Sequence, residues 1–163
     1  MTIFRMGKSM ADFMTGTAGR HYLELPAEPS SVSCAREHVA VVLASFGLSS
    51  RELLDDAQLI TSELVTNAIT ASVACASGGR SAGKRVRVSA ALSGSRLTLE
   101  FWDDGAGVPR QVAADDYDVR GRGLCLVDAL CRRWGYHRPR PGEKIVWVEL
   151  DVEPYLCEAA ASR

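Results

Sequence analysis

The sequence lacks the features that would place it in a membrane or on nucleic acid. No apolar run approaches the roughly 18 residues that a membrane-spanning helix needs, and the N-terminus has no continuous apolar stretch of the kind a secretory signal requires. The net charge is −1, with both signs interspersed, so no broad field attracts an anionic partner. We therefore expect a cytoplasmic protein that contacts no membrane and binds no nucleic acid directly.

Cysteine and histidine are few and irregularly spaced. The five cysteines, at positions 34, 75, 125, 131 and 157, form no CxxC pair. Their odd number, and the position of several inside apolar segments, is typical of reduced core side chains in a cytoplasmic protein. The three histidines form no HExxH or other ligand spacing, so no metal centre built from histidine or cysteine is predicted.

What is present is enough for one domain. With 163 residues, of which 47% are apolar and 24% charged, the chain can bury one substantial core but not comfortably two. We predict a flexible N-terminal extension over residues 1–20, a single domain over 21–153 and a C-terminal tail over 154–163. No internal repeat or heptad series is visible.

Hydrophobic periodicity predicts the order of the elements. A short strand over 21–25 precedes a helix that begins near Ser30 or Ser31 and ends at Gly47. A capping box of Ser49 and Glu52 opens a second helix, which fades before a Gly/Ser-rich loop at 77–83. Period-two segments at 85–90 and 96–102 form a hairpin. A third helix runs from about residues 121–123 to Gly135, and 144–152 is the last strand.

This order predicts an α/β fold, a two-layer sandwich with a mainly antiparallel sheet covered on one face by helices. A doubly wound parallel sheet is less favoured because its strands would each need a crossover helix, whereas two strands here are joined by a turn.

Three motifs along this order carry candidate chemistry. Glu63 and Asn67 lie four residues apart on the second helix, so they share a face, where a carboxylate can accept a proton and an amide oxygen can hold a hard cation. Asp103 ends a strand and can accept a hydrogen bond from an exocyclic amine, while Gly105 and Gly107 let the backbone pass close to a ligand. Each motif alone also fits an ordinary surface helix or a tight turn.

The third motif is a pair of glycines that opens a helix. Gly121, Arg122, Gly123 and Leu124 stand at the predicted start of the third helix, where free N–H groups and a partial positive charge favour phosphate. A single GxG is weak by itself. The order of the three motifs is more specific: ExxxN on a helix, then DxGxG after a strand, then GxGL at a helix start.

This ordered set resembles the N, G1 and G2 boxes of the ATPase superfamily of gyrase, heat-shock chaperones, histidine kinases and mismatch-repair proteins (GHKL, the Bergerat fold). More narrowly, the segments 62–68, 121–130, 133–135 and 144–150 are similar to the compact anti-sigma-factor serine kinases of the RsbW and SpoIIAB type. The match to the superfamily as a whole covers about residues 49–148.

The resemblance implies ATP and Mg2+ as cofactors and a role for each motif residue. Glu63 would be the general base toward a partner's serine, and Asn67 would hold the magnesium. Asp103 would bind the adenine amine. The other residues implied in nucleotide binding are Gly105, Gly107, Val108, Gly121, Arg122, Gly123 and Leu124, with 108–120 as a lid. The implied partners are an anti-anti-sigma protein of the STAS type and a sigma factor, and a homodimer is possible.

Two departures from the family pattern bear on this implication. Many relatives carry a polar residue where this chain has Ala71, and a threonine near the start of the last strand corresponds to Ile145. Both changes would reduce the number of polar contacts to the nucleotide. A non-catalytic, ATP-responsive binding module is therefore an open alternative to a kinase. A detached histidine-kinase catalytic domain is a second one, although no helical hairpin with a phospho-acceptor histidine is recognisable.

Overall fold

The computed structural model describes residues 5–8, 18–74, 83–105 and 122–156, with backbone alone at 5–8, 18 and 122. Within these ranges six strands form one antiparallel sheet in the order β1-β2-β3-β4-β6-β5. The strands are β1 (Arg5–Lys8), β2 (Ala18–Pro26), β3 (Arg85–Ser93), β4 (Arg96–Asp103), β5 (Arg133–His137) and β6 (Lys144–Asp151). The helices are α1 (Ser31–Ser45), α2 (Arg51–Ala74) and α3 (Arg122–Leu130).

The helices pack on one face of this sheet, which confirms the predicted two-layer sandwich. Alternate residues of β4 are buried: Leu97, Leu99, Phe101 and Asp103 face the helices. Helix α2 buries an apolar stripe that includes Leu53, Ala57, Ile60, Leu64 and Ala68, and it contacts β3, β4 and both other helices. Each such leucine or isoleucine contributes roughly 1.5–3 kcal/mol by leaving water, so α2 is fixed firmly over the centre of the sheet.

The segment after α3 differs from the prediction. We expected the third helix to continue to Gly135, but it ends at Leu130, and Arg133–His137 form the edge strand β5. The backbone changes partner within two residues: the Cys131 N–H donates to Val127, whereas the Arg132 N–H donates to Glu149 in β6. Pairing with β6 therefore overrides the local helical period, a long-range effect that sequence spacing does not contain.

The limits of the domain and one helix cap also differ from expectation. Strand β1 pairs with β2, so part of the predicted extension 1–20 contributes backbone to the sheet. At the other end Tyr155 and Leu156 pack against the core, beyond the predicted boundary at 153. The α2 cap is Ser50 rather than Ser49, since the Ser50 hydroxyl accepts from the Leu53 N–H at 3.5 Å.

The cysteines are less buried than expected. Cys34 and Cys131 are half-buried against the core, whereas Cys125 is exposed; positions 75 and 157 lie outside the described residues. In the part of the chain that the structure describes, no helix is both long and apolar enough to cross a membrane.

The sheet face away from the helices carries arginines stacked on aromatic rings. The Arg87 guanidinium lies 4.8 Å from the centre of the Trp102 ring and pairs with Glu24 at 3.1 Å. Arg133 lies 5.7 Å from the Trp147 ring and pairs with Glu149 at 2.7 Å. These arginines cover the aromatic rings and are matched by carboxylates, which suits a solvent-facing surface.

A buried histidine makes the fold sensitive to acid. His38 on α1 is 6% exposed, and its Nε2 atom is buried without a hydrogen-bond partner. Burial lowers the pKa of His38 below 6.5, and the nearby His21 adds to the shift. The unfolded chain therefore binds this proton more readily than the folded one, so stability falls as pH drops below about 6.5.

We predict that His38→Leu makes the free energy of unfolding less dependent on pH. The wild type should lose more stability than the variant between about pH 7.5 and about pH 5, because only the wild type has this buried imidazole to protonate. Urea unfolding at the two pH values measures the difference. Val39→Ala, which removes core packing alone, serves as the control and should lower stability equally at both. Parallel wild-type and His38→Leu profiles would contradict the assignment.

Candidate functional site

One face of α2 carries three residues spaced by a helical turn. Glu63 and Ala71 are half-buried and Asn67, between them, is exposed. At 1.5 Å per residue the face extends about 12 Å along the helix. Each end of this face contacts a different backbone segment that contains a predicted site glycine: the start of α3 at one end and the turn after β4 at the other.

The Glu63 end touches the start of α3. A side chain on Gly123 would collide with the Glu63 carboxylate, because the ideal Cβ position falls against Oε2. The missing side chain thus lets the carboxylate reach the first turn of α3, where backbone N–H groups carry partial positive charge. The structure therefore brings together the predicted proton acceptor and the predicted phosphate-binding helix.

The Ala71 end touches the turn after β4. A Cβ on Gly105 would lie 2.5 Å from the Ala71 Cβ and 2.7 Å from Asp103 Oδ1. A side chain at 105 therefore does not fit without a shift of the backbone. Ala71, which the sequence marked as a lost polar contact, packs directly against the turn that follows β4.

Asp103 is the most deeply buried of the predicted polar site residues. Its side chain is 1% exposed; Oδ1 accepts from the Gly105 N–H at 2.8 Å and Oδ2 lies 3.3 Å from Lys144 Nζ. Burial raises the pKa of Asp103, and Lys144 and the Gly105 N–H oppose this without cancelling it. The carboxylate is therefore held at the end of β4 by two donors.

The neighbouring carboxylate behaves in the opposite way. Burial also acts to raise the pKa of Asp104, but its ion pair with Lys84 at 2.5 Å outweighs this, and the pKa is lowered. Two adjacent aspartates thus have different roles. Asp103 points toward the helices, and Asp104 ties the end of β4 to the residue just before β3.

The sequence predictions did not include Lys144, although they singled out its neighbour Ile145. In the pairing of β4 with β6, Asp103 is opposite Lys144, whereas Trp102 is opposite Ile145. Ile145 therefore lies on the other face of the sheet, away from Asp103. Lys144 is the first residue of β6, which runs antiparallel to β4, and β4 ends at Asp103. A prediction that these two strands pair would have placed Lys144 beside Asp103.

Arg138 was also missed. It follows β5, and its Nη1 donates to the Gly105 carbonyl at 3.4 Å. The segment after β5 is thereby fastened to the turn after β4. The other arginines of that region form ion pairs, Arg132 with Asp151, Arg133 with Glu149 and Arg140 with Glu143.

The remaining predicted residues divide into two groups. Leu124 is buried in the core, so it anchors α3 by packing. Gly107, Val108 and Gly121 lie outside the described residues, as do the Arg122 side chain and the lid predicted at 108–120.

The described residues would suit a metal ion that is coordinated partly by the protein and partly by a bound ligand. No group of three or more His, Cys, Asp or Glu side chains that could hold an ion occurs within the described ranges. Asn67 offers one amide oxygen from an exposed position. One oxygen donor from the protein fits Mg2+, which keeps several waters and is held largely through substrate phosphates.

The fold defines a class, a two-layer α/β sandwich whose antiparallel sheet is covered on one face by helices. The comparison with known families agrees. The profile of the histidine kinase-like ATPase domain matches residues 25–150. The chain belongs to this family, and membership indicates ATP binding. No curated protein matches the sequence.

The contact between Gly105 and Ala71 gives a stability prediction. Gly105→Ala should destabilise the protein by about 1–3 kcal/mol, because its methyl group would overlap Ala71 and Asp103. Ala71→Gly should relieve part of this cost in the double variant, although Ala71→Gly alone costs about 1 kcal/mol in helix propensity. Urea unfolding of the four proteins gives the coupling energy.

The control for this cycle is Gly19→Ala, where a Cβ would meet nothing within 4 Å. It should leave stability nearly unchanged. Additive effects of Gly105→Ala and Ala71→Gly would show that the two residues do not meet as described.

The buried ion pair gives a pH prediction. With its pKa raised, the Asp103 carboxyl contributes stability that is complete below 3.8 and is lost as pH rises through the folded pKa. Lys144→Met removes the opposing cation, so its destabilisation should grow from about pH 5 to about pH 8 and reach roughly 3–5 kcal/mol. Urea unfolding across this range measures it.

The matched control is Lys84→Met, the same substitution in the more exposed pair with Asp104. It should cost only about 0–1 kcal/mol, equally at both pH values. A Lys144→Met cost that does not change with pH would show that Asp103 does not depend on this lysine for its charge.

Proposed function

We propose that this protein is an ATP-dependent serine kinase of the anti-sigma-factor type, which phosphorylates an anti-anti-sigma partner and sequesters a sigma factor. The contact between Glu63 and Gly123 carries the proposal. It puts a carboxylate at the first turn of the helix that would hold the phosphates.

This position suits proton transfer to a carboxylate during phosphoryl transfer. A kinase needs a residue that accepts the proton of the attacking hydroxyl near the terminal phosphate, and most of the remaining catalysis is positioning and charge neutralisation. In this scheme Glu63 accepts the proton of the partner's serine and the α3 N-terminus neutralises phosphate charge. Bound Mg2+ would supply further neutralisation of the phosphates.

Asn67 and Asp103 complete the assignment. Asn67 lies one turn after Glu63 and would hold the metal, so the acceptor and the metal lie on one side of the phosphates. Asp103, at the opposite end of the α2 face, would accept from the adenine amine. The phosphate end and the base end are thus separated along α2 in the order that a nucleotide requires.

Two single-atom exchanges test these roles separately. Glu63→Gln should abolish transfer of labelled phosphate to a serine-bearing partner, by at least about 100-fold, while ATP binding is kept. Asp103→Asn should weaken ATP binding, because the amide nitrogen in place of one oxygen removes an acceptor. Isothermal calorimetry measures binding and a labelled-ATP assay measures transfer.

Asp104→Asn is the control for the second variant, since its carboxylate is engaged by Lys84 and should leave ATP affinity largely unchanged. Wild type that binds ATP but transfers no phosphate to any serine-bearing partner would favour the non-catalytic binding module. An Asp103→Asn variant with undiminished ATP affinity would refute the adenine assignment.

A further inference from the structure

The helix that would hold the phosphates is short and packs on the core through an apolar stripe. Helix α3 has nine residues, and its Leu124 and Val127 side chains are buried in the core. Apolar burial is not directional. The stripe therefore holds α3 against its neighbours, but it constrains the rotation of the helix about its own axis less than polar contacts on its flanks would.

Gly123 and Asp128 lie on opposite flanks of this stripe. At 3.6 residues per turn each is displaced by roughly 70° from the midline of the stripe, in opposite senses. On one flank Gly123 leaves room for the Glu63 carboxylate of α2. On the other flank Asp128 Oδ1 accepts from the Trp134 indole N–H at 2.9 Å. The helix is thus held between α2 on one side and β5 on the other.

The hydrogen bond between Asp128 and Trp134 joins a fixed donor to an exposed acceptor. The Trp134 ring is partly buried against the core, so the position of its N–H is set by β5. Asp128 is exposed in the last turn of α3, where the helix C-terminus carries partial negative charge and disfavours a carboxylate. The indole N–H compensates the carboxylate, and a hydrogen bond to a charged acceptor has a defined direction.

We propose that this hydrogen bond sets the rotation of α3 about its axis, so that Asp128 and Trp134 are positioning residues for the phosphate end of the site. The inference rests on the proposed ATP site. Asp128 lies about 7.5 Å along the axis from Gly123, and a helix of this length is stiff, so a rotation at one position is carried to the other. Phosphate binding depends on where the backbone N–H groups at the start of α3 point, whereas adenine binding at Asp103 does not.

Two purely structural roles make different predictions. If the hydrogen bond only stabilised the fold, its loss would weaken every ligand of the site by a similar factor. If it only kept α3 from fraying, its loss would expose the α3 backbone N–H groups to hydrogen exchange. Rotation of an intact helix weakens ligands that carry phosphate and leaves the exchange protection in place.

The experiment measures the dissociation constants of ATP with Mg2+ and of adenosine, by competition against a fluorescent ATP analogue whose own affinity is measured for each variant. We expect Asp128→Ala and Trp134→Phe each to weaken ATP about three- to tenfold, the effect of one hydrogen bond, and to leave adenosine within about twofold of the wild type. The double variant should bind ATP no more weakly than either single variant, because both remove the same hydrogen bond.

Two further variants are controls. Asp128→Asn keeps an oxygen acceptor and should stay close to the wild type. Trp147→Phe is the same substitution on the sheet face away from α3, where Arg133 covers the ring, and should leave the ratio of ATP to adenosine affinity unchanged. Amide hydrogen exchange of α3 should be the same in Asp128→Ala as in the wild type.

Each contrary result has a distinct meaning. With ATP still bound by the wild type, equal weakening of ATP and adenosine, additive effects of the two substitutions, or lost exchange protection in α3 would each overturn the positioning role. Asp128 is exposed, so Asp128→Ala decides the question even if Trp134→Phe does not fold. Wild type that binds ATP no more tightly than adenosine overturns this inference alone, whereas wild type that binds no ATP overturns the proposed site as well.

Discussion

The site depends on how closely one face of α2 approaches two backbone segments that lack side chains. At Gly123 the absent Cβ makes room for the Glu63 carboxylate, and at Gly105 it makes room for Ala71. At Gly105 no other residue fits without a shift of the backbone, whereas at Gly123 a side chain would require the Glu63 carboxylate to move away from α3. Because α2 is buried along its length against the sheet, these two contacts fix the start of α3 and the end of β4 relative to each other.

This constraint explains which parts of the site the sequence could predict. Glu63 and Asn67 share a face because they belong to one helix, and Asp103 with Gly105 belong to one strand end, so their placement follows from local periodicity. The glycine opening α3 follows from helix-terminus chemistry. The family resemblance then supplied the roles of these residues, which periodicity alone could not.

What the sequence did not predict comes from pairing between segments that are distant along the chain. Strand β5 was interpreted as the end of a helix because Trp134 continues the apolar period of α3, and only β6 as a neighbour makes it a strand. With β5 at the edge, β6 lies beside β4, and Lys144 falls opposite Asp103. The error at β5 and the omission of Lys144 therefore have one cause, the insertion of β6 between strands that precede it.

Three separate elements contact the end of β4. These contacts limit how far this part of the site can move. Ala71 packs on Gly105 from the helical layer, Lys84 pairs with Asp104 from the start of β3, and Arg138 donates to the Gly105 carbonyl from beyond β5. A polar group held by several rigid elements needs little reorganisation when a ligand arrives. Asp103, whose oxygens already have donors, is therefore held in one position by the fold itself. In the proposed site this carboxylate would need little rearrangement to accept from adenine, so its strength as an acceptor would depend on how the neighbouring charges are balanced.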